Sequence, residues 1–247
     1  MAQPQPFHRQ NHLLASLPPA DLTSLETHLE PMELGIRHAI EIANKPIKHL
    51  YFPVSGIISV VASGPRNHKI EVGIIGKEGM SGISIVLGDD RTPNETYVQV
   101  AGFALRIAAD DFRHVIHAAP SMRHHFFQYV QFFMIQTAHT ALANGRAKVE
   151  ERLARWLLMA HDRLDGDEIP LTHEFLALML GVRRAGVTTT LHVLEARALI
   201  SLERGRITMI DRSGLEALAD GIYGVPEAEY RRLTGWRGKT QGSSETG

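Results

Sequence analysis

The sequence predicts an α+β chain in three parts: an N-terminal β-roll, a long helix and a C-terminal winged helix-turn-helix. Three observations carry this prediction. Short β-rich runs broken by turn residues fill positions 34–107. Helical periodicity then takes over from about Ala109. Residues 171–210 read as a short helix, a glycine turn, a second helix opening on two arginines, and a hairpin with a basic tip.

The elements follow in order. Residues 1–12 are polar, carry Pro4 and Pro6, and are expected to be mobile. Pro18-Pro19-Ala20-Asp21 opens a short helix, because proline suits a first helical turn; Leu22, Leu25 and Leu29 share its inner face. Strands are expected at Ile47–Phe52, Gly56–Ala62, Lys69–Ile75, Ile83–Leu87, Tyr97–Ala101 and Phe103–Ile107. Pro53–Gly56, Ser63-Gly64-Pro65, Gly76–Gly79 and Gly88-Asp89-Asp90 break them, a spacing that suits a sandwich or roll.

Residues 121–144 form the long helix. Met122, Phe126, Tyr129, Phe133, Gln136 and Thr140 fall on one stripe with the alternating four-and-three spacing of a coiled-coil seam. Two readings are open: a helix packing on its own roll, or a helix pairing with its twin in a homodimer. The length of the aromatic seam favours the pair. Asn144-Gly145 breaks the pattern and reads as a hinge. A further helix spans Arg146–Arg163, with Val149, Leu153, Trp156, Leu157 and Ala160 inward. The parts divide as 13–119 (roll), 120–144 (long helix), 145–235 (winged head) and a tail at 236–247 whose Gly, Ser and Thr content predicts disorder.

Bulk numbers narrow the function classes. The 247 residues suffice for two domains, and 44% hydrophobic with 21% charged content is that of a soluble globular protein. No apolar run approaches the ~20 residues of a membrane span. The first residues lack the basic and apolar blocks of a secretory signal, so a cytoplasmic location is expected. There is no cysteine, which excludes disulfides, thiolate zinc sites and iron–sulfur clusters. The net charge of −1 gives no global pull toward nucleic acid. Locally the balance differs: Arg183, Arg184, Arg197, Arg204 and Arg206 face only Glu195 and Glu203.

The 171–210 unit points to DNA. Thr172 stands where an N-cap belongs, Leu176, Met179 and Leu180 make an inner face, and Gly181 permits a sharp turn. Val187, Leu191, Leu194 and Ala198 make the inner face of the second helix, which leaves Arg184, Thr188, Thr189 and His192, with Gly186 beside them, outward. An arginine at the start of such a helix can grip guanine O6 and N7. Arg204 and Arg206 flank Gly205 at the hairpin tip, a natural place for phosphate contact. Arg183 stands at the cap position of the second helix yet cannot accept a hydrogen bond; a DNA phosphate could take that place.

The order of roll, long helix, hinge and winged helix-turn-helix resembles the Crp/Fnr family of bacterial transcription regulators over about residues 13–235. The likeness is most specific in Leu171–Ile210, and Phe52-Pro53-Val54-Ser55-Gly56-Ile57-Ile58-Ser59-Val60 resembles the family's turn between early strands. The resemblance implies a cyclic-nucleotide-binding-like roll, a homodimer on a pseudo-palindromic DNA site, an effector in the roll, and RNA polymerase as a further partner. It places Thr172, His173 and Arg183 at phosphate-facing positions and Arg184 at a base-reading one. Ala185 and Thr189 stand where many members have a base-reading glutamate and a second arginine. The effector motif departs further. Cyclic-nucleotide-binding members have Gly-Glu-Leu and a later Arg-Ser/Thr-Ala; here the runs are Gly82-Ile83-Ser84 and Thr92-Pro93-Asn94-Glu95-Thr96-Tyr97. Ile83 replaces the glutamate, and no arginine precedes Thr96. Cyclic AMP in its usual mode is therefore not expected, nor is an iron–sulfur cluster, and the effector is left unnamed.

Fourteen histidines invite a metal reading. His124 and His125 are adjacent and diverge by about 100° on a helix, and His114 and His117 lack a nearby carboxylate. No metal and no cofactor are expected. His68-Lys69-Ile70-Glu71 offers one histidine where a metal-dependent cupin would want a pair, and there is neither a nucleophile elbow nor a P-loop. The expectation is a regulator rather than an enzyme. The alternative is a small-molecule sensor whose helical domain grips a protein.

Overall fold

The structure, a computed structural model, describes residues 7–65 and 68–235. The expected disorder of 236–247, like the mobility of residues 1–6, lies outside the described residues. Residues 7–12 are ordered: Phe7–Gln10 form a 3-10 turn and α1 follows at His12–Ala15. The anchor is Asn11, fully buried, which caps α1 and donates to the Pro53 and Gly79 carbonyls at 2.8 and 2.9 Å. Helix α2 is Pro19–Glu26, with Leu22 and Leu25 buried.

The roll is two antiparallel sheets. One has the order β1 (Glu30–Leu34), β7 (Gly102–Ala108), β3 (His49–Pro53). The other has the order β2 (Ala39–Glu41), β6 (Glu95–Val100), β4 (Ile57–Ser63), β5 (Lys69–Ile75). Their facing sides enclose a core that includes Leu34, Tyr51, Ile58, Val60, Val98 and Phe133. The expected strand at Ile83–Leu87 is a helical turn instead, α3 (Ile83–Val86), started by Gly82 at φ 79°. A short apolar run has no period of its own, and here the Val86 and Leu87 N–H groups turn back to the Gly82 and Ile83 carbonyls instead of pairing with a neighbouring strand.

Helix α4 (Ala109–Ala118) leads into α5 (Pro120–Arg146), 27 residues or about 40 Å long. Gly145 lies inside α5, and the break comes at Ala147-Lys148, so the expected hinge at Asn144-Gly145 is displaced by three residues. Helix α6 (Val149–Arg163) is held at its start by the Lys148 N–H donating to Glu151 at 2.8 Å. Leu153, Trp156, Leu157 and Ala160 are buried and Val149 is half-buried; Leu158 and Met159 are buried as well. From Leu153 to His161 the helix is buried all round, Arg155 and His161 included, because it lies between two bodies.

Those bodies are the roll and the winged head, which packs against the second sheet. Ile57, Ile74 and Val100 of the roll share one core with α6 and the head. Strand β4 therefore buries both faces, which explains its near-continuous apolar run. The head comprises β8 (Glu168–Ile169), α7 (His173–Leu180), α8 (Arg184–Ala196), β9 (Ile200–Glu203), β10 (Arg206–Met209), α9 (Arg212–Leu218) and α10 (Val225–Thr234). Helix α10 returns to the long helix. Tyr230 is buried, stacks edge-on against Phe132 with centroids 4.7 Å apart, and donates to the Glu78 carbonyl at 2.6 Å.

Candidate nucleic-acid interface

The Thr172 hydroxyl accepts the Phe175 N–H at 3.4 Å and starts α7. Leu176, Met179 and Leu180 are buried, and Gly181 ends the helix at φ 61°. The Gly181 and Val182 N–H groups donate back to Leu178 and Ala177, which satisfies carbonyls that a helix end leaves open. A β-carbon there would be strained, so glycine sets the turn into α8.

Helix α8 begins at Arg184 with Arg183 as its cap, and no side chain bonds the cap's free N–H groups. Val187, Leu191 and Leu194 are buried as expected from spacing, and Thr190 joins them. Ala198 is not on this inner face. The helix stops at Ala196, Ala198 turns at φ 55° with its side chain exposed, and Leu199 takes the buried place. Spacing alone carries a helix one turn too far when a non-glycine residue adopts the left-handed end.

On the opposite side Arg184, Ala185, Gly186, Thr189 and His192 are exposed together. Thr188 and His173 are half-buried and bonded to each other, Nδ1 to Oγ1 at 2.9 Å, which ties α7 to α8. Burial, then the charges of Arg184 and His192, hold the His173 imidazole below its ordinary pKa. His173 is therefore a neutral partner at neutral pH. Thr189 donates to the Ala185 carbonyl at 3.1 Å and leaves its lone pairs outward.

Arg204-Gly205 forms the two-residue tip of the β9–β10 hairpin, with Gly205 at φ 76°. Arg206 is already engaged, 3.0 Å from Glu168 and 4.0 Å from Glu203, so it braces the hairpin on β8. Among the described residues Arg183, Arg184, Arg197 and Arg204 form no ion pair. Arg183 and Arg184 at the start of α8, Arg197 at its end and Arg204 at the hairpin tip are exposed and available to an anionic polymer.

Residues 151–218 match the family described as the Crp-like helix-turn-helix domain. The chain carries a Crp-like helix-turn-helix domain. Solved structures extend the likeness to the roll and the long helix. A protein described as a Crp/Fnr-family transcriptional regulator, from Eubacterium rectale, aligns at TM-score 0.66 and 18% identity, over 85% of this chain and 98% of its own. FixK2 of Bradyrhizobium japonicum aligns at TM-score 0.68 and 13% identity, over 77% and 96%. The c-di-GMP-responsive global regulator CLP of Xanthomonas campestris aligns at 0.63 and 15%, over 78% and 99%. The fold is that of Crp/Fnr transcription regulators. No curated protein matches the chain.

The Crp-like head is latched to the roll through buried polar contacts that spacing could not reveal. Glu71 on β5 accepts from Trp156 Nε1 and from the Ser59 hydroxyl, both at 2.6 Å, and Met179 of α7 packs on Ser59. Burial pushes the Glu71 carboxyl up to about 7. Arg163 and Glu78 form a buried pair at 2.8 Å. Arg37 lies 5.5 Å from the centre of the Phe175 ring.

The six residues expected to form a twin-facing seam do not face outward. Met122, Phe126, Tyr129, Phe133 and Gln136 are buried in their own subunit. Tyr129 donates to the Met80 carbonyl, Gln136 accepts the Ile74 N–H, and Thr140 accepts from Arg155. The other face of α5 exposes Phe127, Gln131, Met134, Ala138, Ala141 and Leu142. Both stripes have coiled-coil spacing, so periodicity could not choose between them.

No helix among the described residues is long and apolar enough to cross a membrane. The same residues hold no group of three or more His, Asp or Glu arranged for a metal ion.

Proposed function

We propose that the protein is a sequence-specific transcription regulator that binds double-stranded DNA as a homodimer in the cytoplasm. Its action is binding rather than catalysis. The observation that carries the reading is the first turn of α8: Arg184 exposed and unpaired beside an uncapped helix start. In a major groove this turn meets base edges, while Arg183 and the open N–H groups meet phosphate. Thr172 at the start of α7 and Arg204 at the hairpin tip are assigned to the DNA backbone. His173 and Thr188, bonded to each other, set the angle between the two helices.

The dimer is assigned to the outward stripe of α5. Phe127, Met134 and Leu142 are large apolar groups with 44%, 61% and 50% exposure. Such a stripe on a long helix is what a second copy would cover. By family likeness, RNA polymerase is the further partner and a small effector in the roll controls the heads.

A gel shift on the DNA upstream of the protein's own reading frame tests the core of this reading. Arg184→Ala is expected to lose about 1–3 kcal/mol of binding and base preference. Unchanged binding removes Arg184 from the readout, and failure of the unmodified protein to bind at low salt overturns the proposal.

A further inference from the structure

Strand β2 ends on Glu41, whose carboxylate lines a cavity of about 140 Å³ inside the roll. Phe133 and Ile75 wall one side; Ser84, Thr92 and Asn94 wall another. Glu41 Oε1 accepts the Gly82 N–H at 2.6 Å, and Oε2 accepts the Thr96 hydroxyl at 2.7 Å.

Two properties of this carboxylate decide what could enter. Among the described residues no lysine, arginine or histidine lines the cavity. A secluded carboxylate without a counter-charge is costly, and a cation arriving beside it offsets that cost. Burial accordingly raises the Glu41 pKa above the ordinary carboxylate range. Second, the Gly82 N–H and the Thr96 hydroxyl, the donors nearest this carboxylate, are already taken by Glu41 itself. An incoming phosphate or carboxylate would find no donor from them and would meet a like charge.

We infer that the roll cavity binds a small organic cation, with an ammonium or guanidinium head at Glu41 and a body of about one ring against Phe133 and Ile75. The inference rests on the regulator reading above and deepens it by naming the effector's class. The aromatic face of Phe133 adds attraction for a cation. Phe133 also belongs to α5, so the occupant touches the helix whose opposite face is assigned to the dimer. A phosphate placed at Glu41 would meet its like charge, so the carboxylate selects against anionic heads at this wall.

The test is calorimetric titration of the full chain with phenethylammonium, and with 3-phenylpropionate as the anionic counterpart. The unmodified protein should bind the amine at least tenfold tighter than the acid. Glu41→Gln keeps an acceptor for Gly82 and should weaken the amine at least tenfold. Ser84→Lys, at a half-buried lining position, supplies its own ammonium and should also exclude the amine, which decides the matter if the first variant does not fold. Absence of amine binding at millimolar concentration, equal binding of amine and acid, or undiminished affinity in the folded variants overturns the inference. The gel shift on the unmodified protein reads the regulator proposal separately: DNA binding retained without amine binding sinks this inference alone.

Discussion

Replacing Glu71 with glutamine should stabilise the chain at pH 8 and leave it nearly unchanged near pH 4.5. Glu71 is 4% exposed between the roll and the head, and burial raises its pKa from 4.5 to about 7. A shift of that size corresponds to about 3 kcal/mol, at about 1.4 kcal/mol per unit. The sign follows from proton binding. Between pH 4.5 and 7 the folded protein holds a proton that the unfolded chain has released, so stability falls as pH rises through this window and levels off above about 7. Glutamine keeps an acceptor for the Trp156 N–H and a polar group for Ser59, but it has no charge to bury. Urea unfolding of both proteins at pH 5, 6, 7 and 8, followed by tryptophan fluorescence, measures the difference. His12, lowered by burial to about 4, and His125, also lowered, act in the opposite sense as pH falls, but both proteins share them. The glutamine variant should gain stability over the parent steadily up to pH 7, reaching about 3 kcal/mol at pH 8. A difference independent of pH, or a less stable variant at pH 8, would refute the reasoning.

Arg163→Met should cost about 3–5 kcal/mol at pH 7, because it leaves Glu78 buried without its partner; a loss below about 1 kcal/mol in urea titration would contradict that assignment. Phe126→Ala removes a ring with no exposure that packs 5.1 Å from Phe112, and should cost about 3–5 kcal/mol. Met134→Glu on the opposite face should halve the mass measured by light scattering while the chain stays folded, and its unfolding midpoint should lose the dependence on protein concentration that a dimer shows. A stable Phe126→Ala monomer would reverse the assignment of the two faces.

The head was legible because its signals are local. Thr172 as a cap, Gly181 as a left-handed turn and Gly205 at the hairpin tip each answer a backbone requirement that few residues can meet. Most strands of the roll were legible for the same reason, while β1 was not, because Pro31 and two glutamates disguise an edge strand. What failed was long-range. Tyr129 and Phe133 look the same in sequence whether they meet a roll or a twin. Ile83 and Ile85 fit strand or helix equally, and only the turn's own hydrogen bonds to Gly82 and Ile83 decide for the helix. Glu71 stood within a predicted strand and Glu78 within a predicted turn, with nothing local to show that both sit at the joint between domains; Glu41 carried no signal at all. Their roles depend on partners 12 to 152 residues away, beyond any local pattern.

The most direct measurement of the central claim is a hydroxyl-radical footprint of the full chain on a DNA site selected from random sequence. Two winged heads related by a two-fold axis should protect two stretches on one face of the duplex, centred about 10 base pairs or a multiple apart, with the bases inside them forming an inverted repeat. Protection of a single stretch without symmetry, or no sequence enriched by selection, would contradict the account.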